Sequence, residues 1–193
     1  MNMRALVLIA TAVPLFAGLC SPAPANWPRH EFQFFAGYSP ASSTLIGTET
    51  DRRFITAGFT YEHRCWIWNS MSLSYTGTLM PAAILLEPHH AVYGFGIAPL
   101  GFTLDLMRTR RIHPFVETIE GLIASTEPIP ETGPDASGLN FLIDLGGGIR
   151  WSVRRHRAVT FGYRFLHISN AGTTDFNPGV DNNVFYVGYS FLR

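Results

Sequence analysis

Between Phe141 and Trp151 the chain alternates: Phe141, Ile143, Leu145, Gly147, Ile149 and Trp151 fall on one parity, while Leu142, Asp144, Gly146, Gly148 and Arg150 fall on the other. Successive side chains of a strand point to opposite faces, so this run predicts a strand with one apolar face and one carrying charge and glycine. The last segment repeats the pattern, with Phe185, Val187, Tyr189 and Phe191 against Val184, Tyr186, Gly188 and Ser190, and Phe102, Leu104 and Leu106 oppose Thr103 and Asp105. Strand-like segments, rich in aromatic and β-branched residues and bounded by Gly, Pro, Asn and charged clusters, lie at about 31–39, 53–63, 65–77, 91–106, 112–125, 138–153, 157–170 and 182–193. Eight antiparallel strands with no helix between them predict an all-β closed barrel, the arrangement that leaves no sheet edge exposed.

Which way the barrel faces depends on what surrounds it. A soluble lipid-binding barrel turns its apolar face inward, whereas an outer-membrane barrel does the reverse. Only 15% of residues are charged, against about 25% in soluble domains, and the polar parity holds many glycines and few lysines. That is too little charge for a wetted outer face, so a transmembrane barrel is the preferred expectation, with Asp105, Asp144, Arg150 and Arg164 pointing inward. Eight strands enclose a lumen just wide enough for side chains, so these groups are expected to form a packed polar interior and not a transport pore. Trp66 and Trp68 share a parity and suit an interfacial aromatic girdle.

The N-terminus reads Met1-Asn-Met-Arg4, an apolar run from Ala5 to about Leu19, then Ala23-Pro-Ala25. A basic start, an apolar core and a small-x-small site predict a secretory signal peptide over 1–25, with the barrel occupying 26–193. Leu19 precedes Cys20 where a lipobox needs a small residue, so Cys20 is expected to leave with the signal and Cys65 to remain in the mature chain. No later stretch has the roughly 20 apolar residues of a membrane helix. Acidic and basic residues balance at 14 each, which disfavours nucleic-acid binding. Nothing in the sequence specifies an oligomeric state.

Most candidate groups carry no chemistry. His89 and His90 are adjacent after Pro88 and would point to opposite faces of a strand, and no His/Cys/Asp spacing elsewhere matches a metal site. Gly146-Gly-Gly148 is followed by no helix start or Lys-Ser/Thr, so it is no phosphate loop. Glu117 and Glu120, three apart, oppose one another, leaving one for the interior network. His167 and Ser169 differ. They share the parity of Val159, Phe161, Tyr163 and Phe165, so a base and a hydroxyl sit together on an apolar face. Alone, that spacing better fits a polar strand end at a membrane interface. Asp181 adds a carboxylate at the start of the last strand, on the same parity as Phe185 and Val187 and one hairpin away.

The run His167-Ile-Ser169-Asn170-Ala-Gly172, the turn Asn177-Pro-Gly179 and the acidic residue opening the final strand resemble the lipid A deacylase (PagL) family. The resemblance implies an outer-membrane barrel of eight antiparallel strands that removes the ester-linked 3-O acyl chain of lipid A in the outer leaflet, releasing a 3-hydroxy fatty acid. It also implies Ser169 as nucleophile, His167 as base, Asp181 as the third member, and an oxyanion site from the Asn170 side chain and the Gly172 N–H, with no cofactor or metal. The family usually has Glu where this chain has Asp181, one methylene shorter; Asp175 is the alternative carboxylate. The other readings are a noncatalytic structural or adhesive outer-membrane barrel, then a soluble periplasmic lipid-binding barrel.

Overall fold

Every long strand pairs antiparallel with its neighbour, and the last returns to the first. The computed structural model describes residues 28–107, 110–129 and 137–193. Its strands are β1 (His30–Ser39), β2 (Ser42–Ser43), β3 (Arg53–Trp68), β4 (Met71–Leu86), β5 (Ala91–Asp105), β6 (Ile112–Ile129), β7 (Ser137–Arg154), β8 (Arg157–Ser169) and β9 (Val180–Leu192). The sheet runs β1-β3-β4-β5-β6-β7-β8-β9, β1 pairs with β9 to close it, and the two-residue β2 attaches to the start of β9. The barrel of eight long strands is as the alternation requires. The expected signal segment 1–25 and Cys20 lie outside the described residues.

The two faces sort as an outer-membrane barrel's do. Ile143, Leu145, Ile149, Trp151, Phe161, Phe185, Val187 and Tyr189 are exposed on the outside, while Asp105, Asp144, Arg150 and Arg164 are buried inside. The interior has two parts. Toward the end where the chain enters β1, Arg150 meets Glu62 at 2.7 Å, Asp105 at 2.9 Å and Glu31 at 3.3 Å. Above this, Arg164 Nε and the Tyr186 hydroxyl both donate to Glu117 Oε1, at 2.9 and 2.6 Å. Toward the far end the lumen is filled by Phe54, Leu85, Val92, Ile123, Leu142 and Ile168, so it is only partly polar. Apolar residues occur on both parities there, and alternation alone does not register them.

One pair of strands departs from expectation. The sequence places a break at Arg64, whereas β3 continues to Trp68 and turns at Asn69, whose φ of 50° is the left-handed conformation that Asn tolerates. Arg64 reads as a turn by its charge, but its side chain is inside the barrel, where Nε donates to Ser72 at 3.3 Å. β4 then runs to Leu86, past Pro81, where the β4–β5 register slips between Met80 and Ala83. A bulge is where a strand accepts a residue without an N–H.

The chain passes from β3 to β4, from β5 to β6 and from β7 to β8 at the end where β1 begins and β9 finishes; the segments 40–52 and 170–179 lie at the other end. Short turns face the periplasm and longer loops the exterior in such barrels. The far end is therefore the outer one, and the two long connections meet there, Thr48 N–H donating to Pro178 O at 2.8 Å.

Candidate active site

β8 and β9 set His167 directly opposite Asp181 in the register, and β7 sets Ile143 opposite His167 and Phe141 opposite Ser169. Opposed residues on an antiparallel pair lie about 5 Å apart at Cβ. That spacing suits the short carboxylate: His167 Nδ1 and Asp181 Oδ1 are 2.6 Å apart. An ionised carboxylate only accepts, so Nδ1 carries the proton and Nε2 is left as the acceptor. Asp175, the alternative acid, is exposed in the 170–179 loop and makes no bond to His167 among the described residues.

Asp181 belongs to the outer parity but has no exposed surface. The segment following β2 covers it. The backbone N–H groups of Leu45, Ile46 and Gly47 donate to Asp181 Oδ2 at 2.8, 2.7 and 3.0 Å. One carboxylate oxygen is thus held by three consecutive amides and the other by the imidazole, a charge-assisted arrangement that fixes the acid in one orientation. Two glycines make the approach possible. A Cβ on Gly47 would stand 2.6 Å from Gly179 O, and one on Gly179, whose φ is +67°, would stand 2.8 Å from His167 Cε1. The side chains of this strap point away, with Leu45 and Ile46 76% and 61% exposed.

Ser169 ends β8, half-buried on the outer face with His167, and its hydroxyl makes no hydrogen bond among the described residues. The chain then turns sharply: Ala171 and Gly172 have φ of 55° and 72°. Asn170 organises this turn. It is buried, and its amide donates to Thr174 Oγ1 and Phe176 O, each at 2.7 Å, while its Oδ1 accepts from Gly172 N–H at 2.8 Å. Both sequence-expected oxyanion donors are thereby engaged within the loop. The Ala171 N–H makes no hydrogen bond among the described residues.

From Ala171 an apolar groove of about 310 Å³ crosses the outer face of β7, β6 and β5, bordered by Phe141, Ile143, Leu122, Leu100 and Ile97. Glu120 also lines it, an exposed carboxylate on the apolar face, while Glu117 takes the interior partner Arg164. No group of three or more His, Cys, Asp or Glu able to hold a metal occurs among the described residues. The sequence did not indicate the Leu45–Gly47 amides, because backbone donors leave no residue signature and this strap lies 134–136 positions from Asp181. The arrangement as a whole is an imidazole oriented by a buried carboxylate, next to a hydroxyl, a turn with an open N–H, and an apolar groove facing lipid.

Residues 53–190 match the family model described as lipid A 3-O-deacylase (PagL). Among solved structures, the outer membrane enzyme PagL superposes with a TM-score of 0.61 at 20% identity, covering 82% of this chain and 98% of that one. Neisserial surface protein A superposes with a TM-score of 0.55 at 11% identity, covering 84% and 96% respectively. At these identities the two structures speak for the fold. No curated protein matches the sequence.

Proposed function

The chain belongs to the lipid A 3-O-deacylase family of integral outer-membrane barrels, and from that premise we propose that it is a serine esterase releasing the ester-linked 3-O acyl chain of lipid A as a 3-hydroxy fatty acid. The observation that carries the proposal is the 2.6 Å contact of His167 with an Asp181 buried beneath the strap. His167 Nε2 takes the proton of Ser169 as the hydroxyl attacks the ester carbonyl; Asp181 keeps the imidazole in the required tautomer and balances the imidazolium that forms. The imidazolium then protonates the departing sugar hydroxyl, leaving an acyl group on Ser169. Water, deprotonated by the same nitrogen, cleaves that ester and frees the fatty acid. Ser169 and His167 make no side-chain hydrogen bond to each other in the structure, and in this proposal that bond forms as substrate binds, as catalytic hydrogen bonds often do.

The oxyanion site belongs at the Asn170–Gly172 turn. Asn170 and the Gly172 N–H hold its shape through their mutual bond, and the Ala171 N–H is the donor open to the developing charge. Because Ala171 also ends the apolar groove, a carbonyl bound there directs its acyl chain along Phe141 and Leu122. A 3-hydroxyl on that chain gives the Glu120 carboxylate a partner in an otherwise apolar surround. Residues 1–25 serve in this proposal as the export signal and 26–193 as the inserted barrel.

The test is the mass of lipid A from outer membranes carrying the protein. A loss equal to one 3-hydroxyacyl group, with that acid recovered free, is expected. Unchanged lipid A in membranes that contain the folded barrel would favour the noncatalytic structural reading.

A further inference from the structure

At the end opposite the triad, the β7–β8 turn reads Arg154-Arg155-His156-Arg157. It is tied to the last strand: Leu192 N–H donates to His156 O at 3.1 Å, and His156 Nδ1 lies 3.1 Å from Leu192 O. The arginines therefore extend from a fixed backbone. The Arg157 guanidinium lies over the Phe191 ring, 4.0 Å from its centroid, so one face is covered by an aromatic while its N–H edge stays available. Phe32 and Phe34, both exposed, continue the apolar surface. Between these groups is an open groove of about 1000 Å³, with Arg193 also at its edge and no acidic side chain in its lining. Arg154, Arg155 and Arg157 form no ion pair among the described residues.

We infer that this groove binds one anionic glycerophospholipid of the inner leaflet, its phosphate held by Arg154 and Arg157 and an acyl chain lying along Phe32 and Phe34. The chemistry matches at both ends of such a molecule. Unpaired guanidiniums in a fork geometry suit phosphate oxygens, and the phenyl groups suit the hydrocarbon below them. Position selects the source of the phosphate. The strands separate this turn from the triad by the 13 residues of β8, about 40 Å at a strand's rise per residue, so outer-leaflet lipid A lies at the other end. The groove also differs from the neighbouring β5–β6 turn, where Arg111 is already engaged, donating to Ser152 O at 3.2 Å and facing Trp151. The inference depends on the orientation of the barrel and not on the catalytic proposal.

Native mass spectrometry of the full barrel, released from detergent with an equimolar mixture of phosphatidylglycerol and phosphatidylethanolamine, tests it. The wild type is expected to retain one phosphatidylglycerol with a preference of about tenfold or more. Arg154→Gln/Arg157→Gln should abolish that preference, and Arg110→Gln/Arg111→Gln, which removes the same charge from the neighbouring turn, should keep it. Circular dichroism of each variant verifies that the barrel is folded. No preference in the wild type, its survival in Arg154→Gln/Arg157→Gln, or its equal loss from both variants would each overturn the proposal, the last by showing a diffuse basic rim.

Discussion

Two of the buried carboxylate systems in this barrel are finished differently. Around Arg150, three carboxylates converge on one guanidinium inside the lumen, closed off by packed side chains. Around Asp181, the carboxylate is as deeply buried, yet its partner His167 keeps an edge at the outer surface. The first system pairs its charges with one another and holds β1, β3, β5 and β7 together. The second is satisfied on every side but one. Burial by itself therefore does not distinguish a structural ionic cluster from a site; the open valence does, together with where it opens, here beside a hydroxyl and an apolar groove.

The largest effect that would separate the two systems is on turnover. Asp181→Asn keeps the shape of the acid but gives His167 Nδ1 an uncharged amide, and it should lower the rate of lipid A deacylation by roughly 10³–10⁴ with little change in stability. Initial rates on purified lipopolysaccharide, paired with urea unfolding midpoints, measure both. The converse pattern is expected inside the barrel. Arg150→Leu leaves Glu31, Glu62 and Asp105 without their shared cation and should cost about 3–5 kcal/mol of stability, while the barrel that remains folded deacylates normally. A Gly47→Ala substitution should have the smallest effect, about a tenfold loss of rate, or roughly 1.4 kcal/mol. Its methyl group meets Gly179 O and lifts the strap from Asp181 Oδ2. Full activity in that variant would show that the three amides do not orient the acid.

The parts of the fold that depend on alternation are legible in the sequence. The outward column of β8 and the inward Asp144, Arg150 and Arg164 follow from period two, and the closed barrel follows from counting strands. Charge misled at Arg64, because inside such a barrel a charged residue continues a strand instead of ending it. The Asp181 side chain, short beside the family's Glu, reaches His167 because the two residues are direct cross-strand partners, a register that parity narrows but does not fix. The strap was not legible at all: backbone amides from residues 45–47 have no side-chain signature, and their meeting with Asp181 exists only once β1 and β9 have closed the barrel. The engagement of the Asn170 amide was hidden for another reason: it depends on how residues 170–176 turn, which strand parity does not describe.

The most direct test of the proposed catalytic centre is covalent. A long-chain fluorophosphonate, which traps a serine activated by a neighbouring base, should modify the folded wild-type barrel at Ser169, and peptide mass spectrometry should find that adduct absent from His167→Ala. Modification at another residue, or equal modification of Ser169 after His167→Ala, would contradict the assignment of His167 and Ser169 as base and nucleophile.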